Sequence, residues 1–441
     1  MIAGALTRVF RPDADTAATP LGAADAFIVR IYTLDLVLVV LTQKLAFPLG
    51  GRETQITAAF LIHFALMGLL AMKGHIRIAA TRFLLFCALA AWIGLTQIPN
   101  VSAGFSLPSM ILMLTTGFML VLTAPISARA YRVLMNRFVL VTLAASALVG
   151  LDWAVQAAGF AMPDLESLMP HPLVYYEYVY IQPLQWDSPW MKPNGIFFLE
   201  TSHVSQFIAI GLVLELALFR RYAIALALGG ALLSTFGITG ILLFATSAPF
   251  LLVRLRRTAV MAIAGLALIG GIAASHSHLL DSVLKRTGEF SQSSSSGYNR
   301  FVLPLHWSAT ALMGPPGKAF FGTGAGSMPK AINNEAAGTA GYAWPPYTKV
   351  GVEYGAIALA VWLLFIADSL IVAGIPLIVS WVAFAQYNFL NGSLNVPIHT
   401  IYCVLLCAGY AVTERKTAKL SWRATLPGRA VPELSAPRGT G

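Results

Sequence analysis

A cation, a carboxylate, a hydroxyl group and an imidazole follow one another in the segment that contains Lys192, Glu200, Ser202 and His203. The segment leads into a long apolar run, so these polar side chains lie at the start of a predicted membrane helix. Charged groups in such a position are costly unless they face a water-filled cavity. Glu200 and His203 are three residues apart, which predicts that both lie on one helix face. This pattern predicts a pair that faces a water-filled cavity, and a mutually satisfied pair that locks helix packing is the alternative interpretation.

The composition requires a bilayer around most of the chain that positions this segment. Of 441 residues, 57% are hydrophobic and only 11% are charged, and the mean hydropathy is +0.72. A bilayer core is crossed by about 20 apolar residues in a helix, which closes its own backbone hydrogen bonds. We therefore predict an all-α polytopic membrane protein with about twelve transmembrane helices, at residues 27–43, 56–72, 80–98, 105–124, 138–160, 196–219, 222–237, 240–253, 258–275, 350–367, 370–386 and 396–413.

The predicted spans divide the chain into seven regions. Gly237 and Gly240 leave open whether 222–253 holds two short spans joined by a tight turn or a re-entrant element. The regions are a cytoplasmic N-terminus (1–26), helices 1–5 (27–160), a first outer loop (161–195), helices 6–9 (196–275), a large second outer loop (276–349), helices 10–12 (350–413) and a basic cytoplasmic tail (414–441).

The distribution of basic residues predicts the orientation of the spans. A cytoplasmic N-terminus puts 20 of the 29 Lys and Arg residues on the cytoplasmic side, as the positive-inside rule requires. Both termini are then cytoplasmic. The net charge of +10 follows from this arrangement, and the scattered basic residues exclude a nucleic-acid-binding domain. The three cysteines lie in apolar runs and predict helix packing.

The two outer loops carry the remaining chemistry-bearing residues. The first is rich in acids and aromatic residues, among them Trp186, which suits sugar binding but also a membrane interface belt. The second contains Arg286, Arg300 and a glycine-rich turn at 322–327. Within the predicted spans, Asp35, His63 and Asp152 indicate either a proton path or hydrogen bonds between helices.

Three short motifs resemble those of a known family. Lys192-Pro-Asn-Gly-Ile-Phe-Phe-Leu-Glu200-Thr-Ser202 resembles the Arg-x-x-Gly-Ile-Phe-x-Glu-Pro-Ser signature of bacterial exopolysaccharide polymerases, which belong to the O-antigen polymerase and ligase superfamily. Asn299-Arg300 followed by the Gly322–Ser327 turn resembles the second loop of that family. Lys349-Val-Gly-Val-Glu353-Tyr-Gly355 resembles its glutamate–glycine pair. The resemblance extends from about residue 190 to 365.

The resemblance implies a GT-C-like, metal-independent glycosyltransferase of the bacterial inner membrane, which needs no cofactor. Its substrate would be an oligosaccharide repeat unit linked to undecaprenyl diphosphate, and its partners a chain-length regulator and a flippase of the same pathway. Negative charge on the departing diphosphate needs cations, for which Lys192 and Arg300 are the first candidates. Glu200 is the first candidate for the general base, ahead of Glu353 and His203. The predicted catalytic residues are Glu200, Arg300 and Lys192, and the predicted substrate-binding residues are Arg286, His203, Asn194, Tyr347, Glu353 and Trp186.

Two departures from the family pattern matter. Lys192 stands where the family has arginine, so it keeps the charge but loses the bidentate guanidinium fork. The His-Asn pair of the ligase branch is missing at 343–348, which favours a polymerase over a ligase. For each cation, a solvated loop residue or a lipid-headgroup contact remains the alternative. A transporter or flippase that holds a lipid diphosphate without chemistry is the rival from another class.

Overall fold

The computed structural model describes residues 20–48, 55–101, 104–163, 165–175, 181–184, 188–252, 298, 302–328, 345–390 and 396–412. In these residues the chain is mostly helical, with two small sheets in addition. The α-helices are α1 (Ala23–Leu41), α2 (Ala58–Met72), α3 (Ala80–Gln97), α4 (Leu107–Met119), α5 (Ala128–Ala157), α6 (Thr201–Leu214), α7 (Tyr222–Ser234), α8 (Ile238–Leu252), α9 (Leu303–Leu312), α10 (Pro316–Phe321), α11 (Pro346–Leu370), α12 (Leu377–Ala385) and α13 (Pro397–Cys403).

The predicted helical fold is confirmed for the described residues. Eleven of the twelve predicted segments coincide with helices, and the segment 258–275 lies outside the described residues. In the part of the chain that the structure describes, four helices are long and apolar enough to cross a membrane: Ala80–Gln97, Ala128–Ala157, Thr201–Phe219 and Pro346–Leu370. Between α7 and α8 the chain makes a tight turn with Phe236 at φ 54°, so two separate short helices occupy this region.

Two small sheets lie at opposite ends of the helices and were not predicted. At one end, β1 (Ala46–Pro48) and β2 (Gln55–Thr57) form an antiparallel hairpin between α1 and α2. At the other end, β4 (Leu122–Ile126) pairs antiparallel with β3 (Arg77–Ile78) and parallel with β5 (Tyr410–Val412). We call these the hairpin end and the sheet end. Because β4 directly follows α4 and β5 follows α13, the sheet joins segments that are far apart in the sequence.

The central element is α6, whose residues are almost all buried. A short π-helical turn, Glu215–Phe219, extends it towards the sheet end. Helix α6 packs against α5, α7, α8 and α12. Similar π-turns extend α12 (Gln386–Leu390) and α13 (Val404–Ala408). A helix that is buried on all sides forms the core of a bundle rather than its lipid-facing surface.

Buried polar pairs hold several helices together. His63 of α2 and Asp35 of α1 form a fully buried ion pair, with Nδ1 and Oδ2 2.6 Å apart. Of the cysteines, Cys403 and Cys407 are buried as predicted for packing residues, whereas Cys87 is exposed on α3. The Asp35–His63 contact accounts for two of the three polar residues noted within the predicted spans.

Candidate functional site

The segment before α6 folds into a tight turn that is tied to α5. Gly195 and Ile196 both have φ 65°, a conformation that favours glycine and strains isoleucine. The backbone N–H of Gly195 donates to Oδ2 of Asp152 at 2.9 Å, and the N–H of Ile196 donates to Oδ1 of Asn194 at 2.9 Å. As a result, the helix begins at Thr201 rather than at the predicted residue 196.

Glu200 therefore lies before the helix and not on one of its faces. It is the N-cap residue of α6, with an extended backbone at φ −149° and ψ 165°. Ser202 connects it to the imidazole: the hydroxyl donates to Oε2 of Glu200 at 3.0 Å, and its oxygen lies 3.3 Å from Nδ1 of His203. Glu200 and His203 are thus brought together as predicted, but through a serine rather than by helical spacing.

A second histidine that the sequence analysis did not identify lies beside His203. The ring centroids of His203 and His399 are 5.0 Å apart with planes tilted by 32°. His399 comes from α13, and its Nδ1 is hydrogen-bonded to Nε2 of Gln386 at the end of α12. Gln386 also contacts Oε1 of Gln206 at 3.4 Å, and Gln206 donates to the carbonyl of Leu390 at 3.1 Å.

These contacts join three helices at the hairpin end. Gln206 comes from α6, Gln386 from the π-turn after α12 and His399 from α13, and all three side chains are buried. The only sequence signal for His399 is a polar residue inside the apolar run 396–413, a pattern that more often indicates helix packing.

Two more buried residues with ionisable side chains, Lys44 and Asp152, lie at this end. Lys44 follows α1 and is 2% exposed, and its positive charge acts on the Asp152 carboxylate. Its backbone carbonyl accepts a bond from the N–H of Tyr175 in the first predicted outer loop, at 2.9 Å. The neighbouring Gln43 donates to the hydroxyl of Tyr402 at 3.1 Å. The carboxylate that fixes the Gly195 turn therefore interacts electrostatically with a cation that the sequence analysis did not place in the site.

The predicted residues of α11 lie beside the end of α12. The Tyr347 ring contacts the ring of Phe389 at 5.9 Å between centroids. Lys349 and Glu353, four residues apart on α11, form a buried ion pair with Nζ and Oε1 2.7 Å apart. Phe389 and Leu390 are neighbours in the π-turn that ends α12. Phe389 contacts Tyr347 of α11, and the Leu390 carbonyl accepts from Gln206 of α6. This turn therefore connects α11 with α6 at the hairpin end.

The glycine-rich turn at 322–326 is docked against a break in α11. Gly355 interrupts the helix with φ 84° and ψ 179°, and a side chain at this position would collide with the Phe320 carbonyl. The N–H groups of Thr323 and Gly324 donate to the carbonyls of Val352 and Glu353, each at 3.0 Å. Two of the three motifs that resemble the polymerase family, 322–327 and 349–355, are thus in direct contact, although these two N–H groups bind the protein and are not available to an anion.

The remaining predicted residues have different outcomes. Lys192 is partly exposed, and its backbone N–H donates to the carbonyl of Gln182 at 2.8 Å. Asn194 is fully buried, with its side-chain oxygen used in the turn. Trp186, Arg286 and Arg300 lie outside the described residues.

The site offers acid–base groups rather than metal ligands. Within the described ranges, no group of three or more His, Cys, Asp and Glu side chains is placed to hold a metal ion. The Glu200–Ser202–His203 chain provides a hydrogen-bonded carboxylate, hydroxyl and imidazole, which are group types used in general acid–base catalysis. No protein-family model matches the chain, and no curated protein matches it significantly.

Proposed function

We propose that this chain is a membrane-embedded glycosyltransferase that joins lipid-diphosphate-linked oligosaccharide repeat units into a polysaccharide. It crosses the bacterial inner membrane about twelve times, with both termini in the cytoplasm. The hairpin end faces the periplasm, and the reaction takes place there.

The arrangement of basic residues supports this orientation. Arg77, Arg82, Arg132 and Arg221 all lie at or next to the sheet end, where Arg77 is part of β3 and Arg82 binds the end of α4. Arg132 binds the carbonyl of Leu218 near the end of α6 at 3.3 Å. A sheet end in the cytoplasm satisfies the positive-inside rule.

One observation carries the proposal: the family-like segment 192–202 and the residue after it supply a carboxylate (Glu200) and an imidazole (His203), which are both buried at the start of the central helix and are linked by the Ser202 hydroxyl. A lone structural pair would not need the strained Gly195–Ile196 turn, the Asp152 anchor and the serine link. Strained backbone held by several partners is typical of sites that must be preorganised.

The chemistry of the proposed transfer fits these groups. The bond between the anomeric carbon and the diphosphate breaks as negative charge grows on the leaving group, which Lys192 and Arg300 stabilise. A hydroxyl group of the incoming repeat unit attacks the same carbon and must lose its proton, which requires a base next to the acceptor. The diphosphate bond supplies the free energy, so the step needs no nucleotide as an energy source.

Replacement of Glu200 tests the proposal in the native host. We expect Glu200→Ala and Arg300→Ala to abolish long polymer while single lipid-linked repeat units accumulate. Glu166→Ala, a change of the same type in the first predicted outer loop, serves as the control and should leave polymer length unchanged. Polymer and lipid-linked intermediates are measured by gel electrophoresis and mass spectrometry of extracted lipids.

The same experiment separates the rivals. Long lipid-linked chains that persist in Glu200→Ala cells would contradict polymerisation and indicate a ligase that transfers finished glycan. Loss of uptake of a small solute, with normal polymer, would indicate a transporter.

A further inference from the structure

Two buried imidazoles face each other where α6 meets α13, and their hydrogen-bond partners fix different tautomers. Their ring centroids are 5.0 Å apart, and both side chains are less than a tenth exposed. The two rings belong to separate hydrogen-bond chains that end at different acceptors. The proton positions follow from which atoms can donate in each chain.

The first chain fixes the tautomer of His203. The Ser202 hydroxyl donates its single proton to Oε2 of Glu200, over 3.0 Å. The contact of 3.3 Å between Ser202 Oγ and Nδ1 must then have the imidazole as donor. His203 therefore carries its proton on Nδ1, and Nε2 carries the lone pair.

The second chain fixes the tautomer of His399. The Leu390 carbonyl can only accept, so the atom of Gln206 that contacts it is the amide nitrogen, and the amide oxygen of Gln206 faces Gln386. Gln386 consequently presents its own NH₂ group to both Gln206 and Nδ1 of His399. Nδ1 of His399 accepts, which makes His399 a neutral ring with its proton on Nε2.

We propose that His203 is the general base of the transfer and that His399 is its positioning residue; this inference depends on the proposed function. The acceptor oxygen forms its bond to the anomeric carbon while the carbon–diphosphate bond breaks. The electron pair of that bond leaves with the diphosphate, and the hydroxyl proton moves to Nε2 of His203. The positive charge on the imidazole is stabilised by Glu200 through the Ser202 hydroxyl.

The contacts of the other candidates make them less suitable than His203 as the general base. Glu200 lies behind Ser202 in the chain that leads to His203, so it stabilises the imidazole rather than replacing it. Glu353 is held in an ion pair with Lys349 inside α11. His399 is 1% exposed against 7% for His203, so it acts through His203: its neutral ring holds the first imidazole in place and puts no like charge against the one that forms there.

The test uses the purified full-length chain in lipid nanodiscs, with the lipid-linked oligosaccharide extracted from host cells that lack this chain. The rate of diphosphate release and the amount of polymer are measured against substrate concentration. We expect His203→Gln to lower kcat by about 100-fold with KM within about threefold, in line with the usual contribution of general-base catalysis. His171→Gln is the matched control, since His171 is exposed in the first predicted outer loop, and it should behave like the wild type.

His399 is tested by a pair of variants. His399→Phe keeps a neutral ring next to His203 and should retain kcat within about threefold of the wild type, whereas His399→Ala should lower kcat about tenfold at unchanged KM. Ser202→Ala, which cuts the link between Glu200 and His203, should also lower kcat about tenfold. It decides the role of His203 if His203→Gln does not fold.

Each result supports or overturns the inference. A His203→Gln or Ser202→Ala enzyme with wild-type kcat, or one that loses activity only through KM, contradicts proton transfer by His203. Equal kcat for His399→Phe and His399→Ala contradicts the positioning role. If the wild-type chain releases no diphosphate from this extract, the proposed function fails and the inference fails with it. An active wild type with an unaffected His203→Gln variant contradicts only the inference.

Discussion

The hairpin end and the sheet end both contain buried polar side chains, but these groups bind different partners. At the sheet end, charged side chains satisfy the backbone and each other. Arg82 donates to the carbonyls of Leu120 and Ala408 at 3.1 and 2.5 Å, and Arg221 binds Glu215 through both its backbone and its guanidinium group. At the hairpin end, the titratable side chains of Glu200 and His203 are linked through Ser202, and His399 is hydrogen-bonded to Gln386.

This difference shows how buried polar groups with a structural role can be distinguished from those suited to chemistry. A carboxylate that accepts several bonds from one arginine has no capacity left for a substrate. A carboxylate and an imidazole joined by one hydroxyl can still change protonation. The comparison predicts that sheet-end substitutions lower stability, whereas substitutions in the Glu200–Ser202–His203 chain lower activity.

The largest effect on stability is expected for Arg82→Met. Two buried carbonyls at helix ends lose their charged donor, at about 1.5–3 kcal/mol each, so we expect a loss of about 3–6 kcal/mol. Thermal unfolding in detergent should show a clearly lower Tm, while polymer formation per folded molecule stays within twofold of the wild type. Arg77→Met, at an exposed position of β3, is the control. A large loss of specific activity in Arg82→Met would contradict a purely structural role for the sheet end.

An intermediate effect is expected at the Lys349–Glu353 pair, which tests the predicted substrate-binding role of Glu353. Lys349→Met leaves a buried carboxylate unpaired and should cost about 3 kcal/mol. The double variant Lys349→Met/Glu353→Met should recover most of this stability, because it removes both charges. If Glu353 binds substrate, the double variant is stable but has a raised KM. A double variant with wild-type kinetics would contradict that role.

The smallest effect is expected for Asp152→Asn. The amide oxygen can still accept the Gly195 N–H, so the turn is kept, but the charge next to Lys44 is lost. We expect a stability loss of about 1 kcal/mol and an activity loss of only a few-fold, measured by Tm and by the rate of diphosphate release. An activity loss of more than 30-fold would show that Asp152 itself takes part in the reaction.

The helices could be predicted from the sequence because apolar runs of sufficient length leave little alternative in a bilayer. Their boundaries were less accurate where distant segments decide them. The predicted helix 105–124 ends at Met119, since Leu122–Ile126 forms a strand between β3 and β5. Conversely, α5 begins at Ala128 and not at 138, because its first turns carry Arg129 and Arg132 and the apolar run starts after them.

The site could be predicted only where its residues are close in the sequence. Glu200, Ser202 and His203 lie within four residues and were recognised as a group. His399, Gln386 and Lys44 reach the same place from α13, α12 and the end of α1, and a single sequence contains no signal for these contacts. The spacing argument for Glu200 and His203 was wrong in its geometry, because Asp152 holds Gly195 in a turn that delays the helix to Thr201.

The most direct test compares the same substitution at the two ends of α6, where Glu200 precedes the helix and Glu215 follows it. Polymer formation per folded molecule and Tm are measured for Glu200→Gln and Glu215→Gln in the same nanodiscs. We expect Glu200→Gln to lower activity at least 30-fold with a Tm close to the wild type, and Glu215→Gln to lower Tm while its folded molecules remain active. Equal activity in the two variants, or an inactive Glu215→Gln next to an active Glu200→Gln, would contradict a reaction site at the hairpin end.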